Sequence, residues 1–412
     1  MLASYARGTR VRIGIFTSAY PGINGTGGIP VYTHSLATGL VQLGHEAHVL
    51  FHDDEGRSMT LEGVQLHGLK TRHAHVVARW LRGSRENIET SLAALRLSRK
   101  YKLDAFEFPN FDAMGVPFGA LSRVAPPMVV RLHTSTKECQ AIENRPLKFA
   151  DHFDVWRESA QCDRAAALVV STRAHGEHMS KELGIDADRI GLVPLGLPDI
   201  APEHLRTPRP RHSPPTVVYV GRLEPRKGTI DLFEAVPRIL ARVPDARFIF
   251  CGNDRPLAPG NISHAAWLEK NLPAEARSHI ELTGFVDDAT RERLVADADV
   301  FCAPSLYESF GLIFLEAMRI AVPVVGTHAG GIPEVVTDGE TGLLVKPQSP
   351  EEIAAAIIDL LTDEPKRLKL AAAGRRSFVE KFSNLAMAKR TVAHHEALIE
   401  RRQHRANGRH VA

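Results

Sequence analysis

Along this chain, short apolar runs are each followed by a longer stretch whose apolar positions recur every three to four residues. The first spacing is that of a buried strand and the second that of an amphipathic helix. The first run predicts a strand over Val11 to Thr17, then a long loop through Tyr20, Pro21, Gly25 and Gly28, then a helix over Val31 to Leu43. Further strands are expected at Ala47 to Phe51, Ala105 to Phe108, Met128 to Leu132, Ala167 to Val170 and Ile190 to Val193. The pattern restarts at Thr216 to Val220 and continues through Arg247 to Cys251, Ile280 to Thr283, Val300 to Ala303 and Pro323 to Gly326. Strands that alternate with helices pair in parallel through right-handed crossovers. Two α/β halves follow.

Between the halves, Leu197 to Pro215 is rich in proline and lacks periodicity, the composition of a linker. The expected division is residues 1–196, a linker over 197–215, a second domain over 216–383 and a separate helical stretch over 384–412. A chain of 412 residues with 44% hydrophobic content can bury two cores of ordinary size.

Composition narrows the class. No apolar run approaches the roughly 20 residues that span a bilayer, and the first residues, MLASYARGTRVRIGIF, carry no signal-peptide core. Cys139, Cys162, Cys251 and Cys302 are far apart and form no CxxC pair, which argues against a zinc site or a disulfide framework. A cytoplasmic location is expected. Net charge is only +3, yet between Lys70 and Lys102 nine Lys or Arg face two acids, Glu86 and Glu89. That segment, 70–102, is either a solvated helical face or a peripheral contact with anionic lipid or an anionic acceptor at the inner face of the membrane. Nucleic acid is not expected, since no recognition motif accompanies the charge.

Two segments carry the chemistry: GRLEPRKG at 221–228 and PSLYESFGLIFLEAM at 304–318. In the second, a helical pattern begins near Phe310, so the amides around Phe310, Gly311 and Leu312 form a helix start that can bind phosphate. Glu316 lies roughly 7 Å further along that helix at the usual rise, whereas Glu308 stands on the loop before it. One carboxylate can reach a ribose and the other a sugar ring. Arg222 offers a planar fork and Lys227 a point charge, a pair suited to a departing diphosphate. The pocket they describe is one for a sugar on a diphosphate.

Other candidates are weaker. GTGGIP at 25–30 has Pro30 where a dinucleotide fingerprint needs a third glycine, and it stands too far from the first strand, so Asp53 does not make an NAD site. His133 ends the strand Met128 to Leu132, where open α/β sheets place ligand groups. The DxD strings at Asp186 to Asp188 and Asp297 to Asp299 fall at helix-to-strand junctions, where turn and capping roles explain them. With Arg222, Lys227 and a helix terminus already supplying positive charge, no metal is expected.

In these motifs the chain resembles the retaining glycosyltransferases of family four. The family's signatures are a GGxG or GGI loop near the N-terminus, a GRLxxxKG turn and an ExFGxxxxEA segment. They correspond here to Gly27, Gly28 and Ile29, to Gly221 through Gly228, and to Glu308 through Ala317. The resemblance covers nearly the whole chain. It implies a GT-B fold: two Rossmann-like parallel-sheet domains facing a central cleft, the first binding acceptor, the second binding nucleotide sugar, and the last helix crossing back to the first. It also implies that Arg222 and Lys227 hold the diphosphate, Glu308 the donor sugar hydroxyls, Glu316 the ribose, Gly27 and Gly28 the donor phosphate, and that His133 lies near the donor sugar.

The expected reaction is transfer of a hexose-type sugar from a nucleotide diphosphate to a hydroxyl acceptor, with no cofactor and with a UDP-sugar before a GDP-sugar. GFVDD at 284–288 is expected beside the base. A lipid-linked saccharide, a polysaccharide precursor and a small polyol all suit the acceptor side, where Tyr20 to Gly28, Glu107 to Gly115 and the basic segment are candidates. The competing readings are a GT-B phosphorylase or epimerase and a non-catalytic sugar-nucleotide-binding protein.

Overall fold

The computed structural model describes residues 10–25, 27–70, 79–142, 146–200 and 214–408, with 79–84 and 403–408 in backbone only. The chain forms two compact units, Met1–Pro198 with Ser383–Ala412, and Asp199–Phe382. The proline-rich stretch read as a linker falls largely on 201–213, outside the described residues.

The first unit is an eight-stranded sheet. Its strands are β1 Arg12–Thr17, β2 Glu46–His52, β3 Ser58–Leu61, β4 Val64–Leu69, β5 Ala105–Pro109, β6 Met128–Arg131, β7 Ala167–Val170 and β8 Ile190–Leu192. They lie in the order β3-β4-β2-β1-β5-β6-β7-β8. Every pair is parallel except β3 with β4. That hairpin was not expected from the pattern. Its turn is Glu62–Gly63, both at positive φ (51° and 79°). A primed two-residue turn suits a hairpin, but glutamate is not one of the residues that announces it.

β1 pairs with β2 on one side and β5 on the other. The strand order therefore reverses at β1, and the crevice beyond its carboxyl end is where open α/β sheets hold ligands. The loop through Tyr20 leaves from that end. The helix after it runs Gly28–Gln42 rather than from Val31, because proline at the third position suits a first turn whose amide has no partner to lose. Gly39 on this helix lies against the Asn384–Gly408 helix: a Cβ there would meet the Asn384 carbonyl at 2.6 Å.

The second unit is a six-stranded, all-parallel sheet ordered β11-β10-β9-β12-β13-β14. Its strands are β9 Thr216–Val220, β10 Arg247–Cys251, β11 Ile280–Gly284, β12 Val300–Cys302, β13 Val324–Thr327 and β14 Leu343–Val345. The strand order reverses between β9's neighbours β10 and β12. GRLEPRKG leaves the carboxyl end of β9 and PSLYESFG that of β12, so the two segments, distant in sequence, are adjacent at the switch point. Both units are doubly wound α/β layers, each with its own core. Phe106, Phe108 and Phe118 centre the first, and Tyr219, Phe233 and Phe250 the second.

Candidate functional site

In the second unit, the GRLEPRKG segment forms a turn of 3-10 helix over Pro225–Lys227, closed by Gly228 in the left-handed region (φ 65°). A Cβ on Gly228 would sit 1.9 Å from the Pro304 carbonyl oxygen, so only glycine lets the two segments touch. Leu306 N donates to the Arg226 carbonyl across 2.8 Å, which ties the contact further. With the backbones held together, Lys227 Nζ reaches Glu308 Oε1 at 2.5 Å. Ser305 Oγ donates to the same oxygen at 2.9 Å. Burial pushes the Glu308 carboxyl up, but Lys227, Arg226 and the Ser305 hydroxyl outweigh it and hold the group below its ordinary value. Glu308 is an anion in a cationic setting.

Arg222 is half-exposed, and its Nη1 lies 3.0 Å from Glu224 Oε1. Glu224 is itself buried and takes Arg226 Nε at 3.0 Å on its other oxygen. The sequence reading missed Glu224 and Arg226. Their signal was present as the alternation of charges inside GRLEPRKG, since a buried carboxylate between two arginines fixes both guanidinium groups. The loop that carries Glu308 is secured by Gly331 N, which donates to the Glu308 carbonyl at 2.7 Å. Gly330 makes this possible: its φ is 54°, and a Cβ there would meet that carbonyl oxygen at 2.3 Å.

The helix after this loop runs Leu312–Arg319, with Gly311 as its N-cap at φ 98°. It therefore starts two residues later than expected, because Gly311 takes a conformation outside the helix that other residues rarely adopt. Phe310 is buried and packs edge-on against Phe382 at 6.0 Å, so its side chain belongs to the core and only its backbone is available to a ligand. Glu316 stands one turn into the helix and lies 3.4 Å from Arg291 Nε. Burial raises its carboxyl above the ordinary value, against the pull of Arg291 and Arg319. Arg291 comes from the Asp288–Ala296 helix, whose N-cap Asp287 accepts from Thr290 N at 2.9 Å. The GFVDD segment is thereby linked to Glu316 through a residue the sequence reading did not name.

In the first unit, Gly27 (φ 141°) caps the Gly28–Gln42 helix, and both glycines are exposed. A Cβ on Gly28 would meet nothing within 4 Å, which leaves open space at a helix start. Tyr32, one turn into that helix, brings it to His133, with ring centroids 5.4 Å apart. His133 is clamped through its backbone: its N–H donates to Asn110 Oδ1 at 2.7 Å and its carbonyl accepts from Asn110 Nδ2 at 3.1 Å. Burial, then the charge of Arg131, pushes its imidazole down to about 3, so the ring is neutral at ordinary pH. A neutral ring can donate or accept a single hydrogen bond to a sugar hydroxyl.

Beneath this surface, Tyr32 Oη and Arg131 Nε (2.7 Å) both donate to Glu107 Oε1. Arg131 and Glu107 are 0% and 1% exposed, so Glu107, expected among acceptor-binding residues, is instead part of the support. Beyond β6, Glu138 gathers Ser135 N at 2.7 Å and the Nε2 atoms of His175 and His178 at 3.2 and 3.3 Å. Asp53 is buried and pairs with Arg57 at 2.6 Å. Asp186 caps a 3-10 turn, and Asp299 is buried, accepting from Thr216 N at 2.9 Å. The first string thus caps a turn as expected, whereas Asp299 makes a long-range contact instead, tying β9 to the residue before β12. Of the basic segment, 71–78 lies outside the described residues; within the rest, Arg85 pairs with Glu89 at 2.8 Å on an exposed face. Among the described residues no helix is long and apolar enough to cross a membrane.

Comparison with known proteins identifies the family and the fold. Residues 202–377 match the family model described as glycosyl transferases group 1, and residues 27–196 match the glycosyl transferase 4-like domain. The chain is 31% identical over 384 residues to a D-inositol 3-phosphate glycosyltransferase of Corynebacterium glutamicum, covering 85% of this chain and 87% of the relative. A phosphatidyl-myo-inositol mannosyltransferase of Mycolicibacterium smegmatis is 35% identical over 154 residues, 37% of each chain. Among solved structures, sucrose-phosphate synthase from Thermosynechococcus elongatus superposes with a TM-score of 0.71 at 20% identity, over 95% of this chain and 100% of the other. Anabaena HepE in complex with UDP and glucose superposes at 0.68 with 16% identity, over 93% and 99%. These last two establish likeness of fold.

Proposed function

This chain belongs to the glycosyl transferases group 1 and is a glycosyltransferase; from that premise we propose that it moves a hexose-type sugar from a nucleoside diphosphate to an acceptor hydroxyl with retained anomeric configuration. UDP is the proposed nucleotide. The observation that carries the reading is the Lys227–Glu308 contact between the β9 and β12 loops at the switch point, with Arg222 on the same turn.

In the proposed step, the acceptor oxygen forms a bond to the anomeric carbon while the bond from that carbon to the diphosphate oxygen breaks. The acceptor's proton leaves with the diphosphate. Arg222 and Lys227 oppose the negative charge that develops on that oxygen, and such stabilisation counts most where it is greater in the transition state than in the ground state. The amides at Gly311 and Leu312 meet phosphate oxygens, Glu308 accepts from a sugar hydroxyl, and Glu316 accepts from the ribose. Gly27 and Gly28 contribute backbone to the donor phosphate, and His133 contacts a sugar hydroxyl. Two fixed cations and a helix start already supply positive charge, so the proposal includes no metal. Because the names of two relatives carry D-inositol 3-phosphate and phosphatidyl-myo-inositol, a polyol or a lipid-linked polyol is the acceptor class to try first. A cytoplasmic location, with the 70–102 segment at the membrane surface, belongs to the same proposal.

The test is release of nucleoside diphosphate from UDP-, GDP- and ADP-sugars with and without inositol phosphates and phosphatidylinositol vesicles, followed by assignment of the product anomer by NMR. Acceptor-dependent release with an α-linked product from an α-linked donor supports the reading. Release that requires inorganic phosphate instead of an acceptor would replace it with a phosphorylase.

A further inference from the structure

The first unit holds a concave feature at the opposite end of its sheet from His133. It is a cavity of about 660 Å³ beside Pro127, which precedes β6, Met128, which begins it, and Ala166, which precedes β7. Met128 opens β6 and His133 lies two residues past its end at Arg131, so the strand's own length, roughly 10 Å at the usual rise, separates the cavity from the end of the sheet where His133 lies.

Four arginines line it: Arg123 from the loop after the Val116–Ala120 helix, Arg164 at the end of the Phe149–Arg164 helix, and Arg401 and Arg402 from the Asn384–Gly408 helix. Among the described lining residues none is Asp or Glu. Four like charges around one hollow repel each other, and the arrangement gains most when an anion enters. Two of the arginines are positioned by the fold. Arg402 Nη2 donates to the carbonyls of Ser122 and Ala125 at 2.9 and 3.0 Å. Arg164 Nη1 donates to the Ala160 carbonyl at 2.8 Å, and its stem lies so close to Gly119 that a Cβ there would meet Arg164 Cβ at 2.7 Å. Each bond uses one of the five guanidinium N–H groups and leaves others for a ligand.

We infer that this cavity binds a phosphoryl-bearing anion, the ligand whose tetrahedral oxygens match several guanidinium forks. The shared chemistry is a phosphate dianion or diester, whose sources are a soluble phosphorylated metabolite or the headgroup of an anionic lipid. The site is distinct from the Arg222 and Lys227 pair, which lies in the other unit.

The experiment titrates the full chain with sodium pyrophosphate by calorimetry in an R222A/K227A background, which removes the second unit's diphosphate cations, with and without the added pair R123A/R401A. Arg123 and Arg401 are exposed, so the added pair is expected to leave the fold intact, which circular dichroism and Tm check. A parallel arm measures cosedimentation with vesicles of phosphatidylglycerol and of phosphatidylcholine. Pyrophosphate affinity that falls at least about tenfold on removal of the two arginines supports the site with a soluble ligand. A tenfold loss confined to phosphatidylglycerol vesicles supports it with a lipid source. Equal binding before and after the added substitutions in both arms overturns the inference.

Discussion

Lys227 and Glu308 stand 81 positions apart in sequence, and their side chains meet at 2.5 Å. The contact exists because β9 and β12 are neighbours in the sheet and Gly228 lets their loops touch. In the proposed reading the two residues divide the work, Lys227 opposing the diphosphate and Glu308 accepting from a hydroxyl.

Removing either partner has a different consequence. Lys227→Ala should lower turnover at least about tenfold and weaken nucleoside diphosphate binding, on the scale of one lost charge-stabilising donor. Glu308→Gln should lower turnover by a similar factor while leaving nucleoside diphosphate binding equal or tighter, because Lys227 no longer shares its charge with a carboxylate. Steady-state rates and calorimetry separate the two. If Glu308→Gln weakened the nucleoside diphosphate as much as Lys227→Ala, the assigned division of roles would be wrong.

Gly228→Ala tests the junction itself. Alanine would have to adopt φ 65° and place a Cβ 1.9 Å from the Pro304 oxygen, so the β9 and β12 loops must separate. The expected cost is about 1–3 kcal/mol, visible as a lower Tm, together with loss of activity. A variant of wild-type Tm and rate would show that the loops do not need this approach.

Glu107→Ala leaves the fully buried Arg131 guanidinium without its carboxylate. Breaking a buried pair on one side costs about 3–5 kcal/mol, since the remaining charge is uncompensated. Glu107→Gln keeps an acceptor for Tyr32 and Arg131 and should lose less. Denaturant melts of the two variants give the comparison, and equal losses would mean that charge is not what the network requires.

Glu158 makes stability depend on pH. Burial pushes its carboxyl from 4.5 up to about 7, with Asp112 and Glu182 adding to the rise and Thr136's hydrogen bonds opposing it. Below pH 4.5 the group is protonated in both states and contributes no difference. Between 4.5 and about 7 the unfolded chain releases the proton first, so stability falls as pH rises through this window. Glu158→Gln should remove that decline, and Tm measured at intervals across the window should diverge from wild type in the variant's favour. Parallel curves would contradict the assignment.

Much of the fold was legible in the residue pattern. Strands β7, β9 and β10 match the expected ranges, and most others differ by a residue at an end, because a buried parallel strand is a compact apolar run bounded by turn residues. The β3–β4 hairpin and β14 escaped, the first because Glu62 hides its turn. The GRLEPRKG and ESFG segments could be read as chemistry because glycine, cation and acid types at those spacings have few other uses.

The inventory could be read from the residues alone: two α/β halves, a glycine-bounded cationic turn, and a loop and helix carrying two acids. Tertiary structure decided which of those groups touch. It joined Lys227 to Glu308, buried Glu224 between Arg222 and Arg226, brought Arg291 to Glu316, and placed Glu107 beneath His133 as a support for Arg131. The physical reason is range. Hydrophobic periodicity and turn chemistry act over a few neighbouring residues, whereas the pairing of charges depends on strand order and on which backbones can approach, and both are settled only when the sheet is complete.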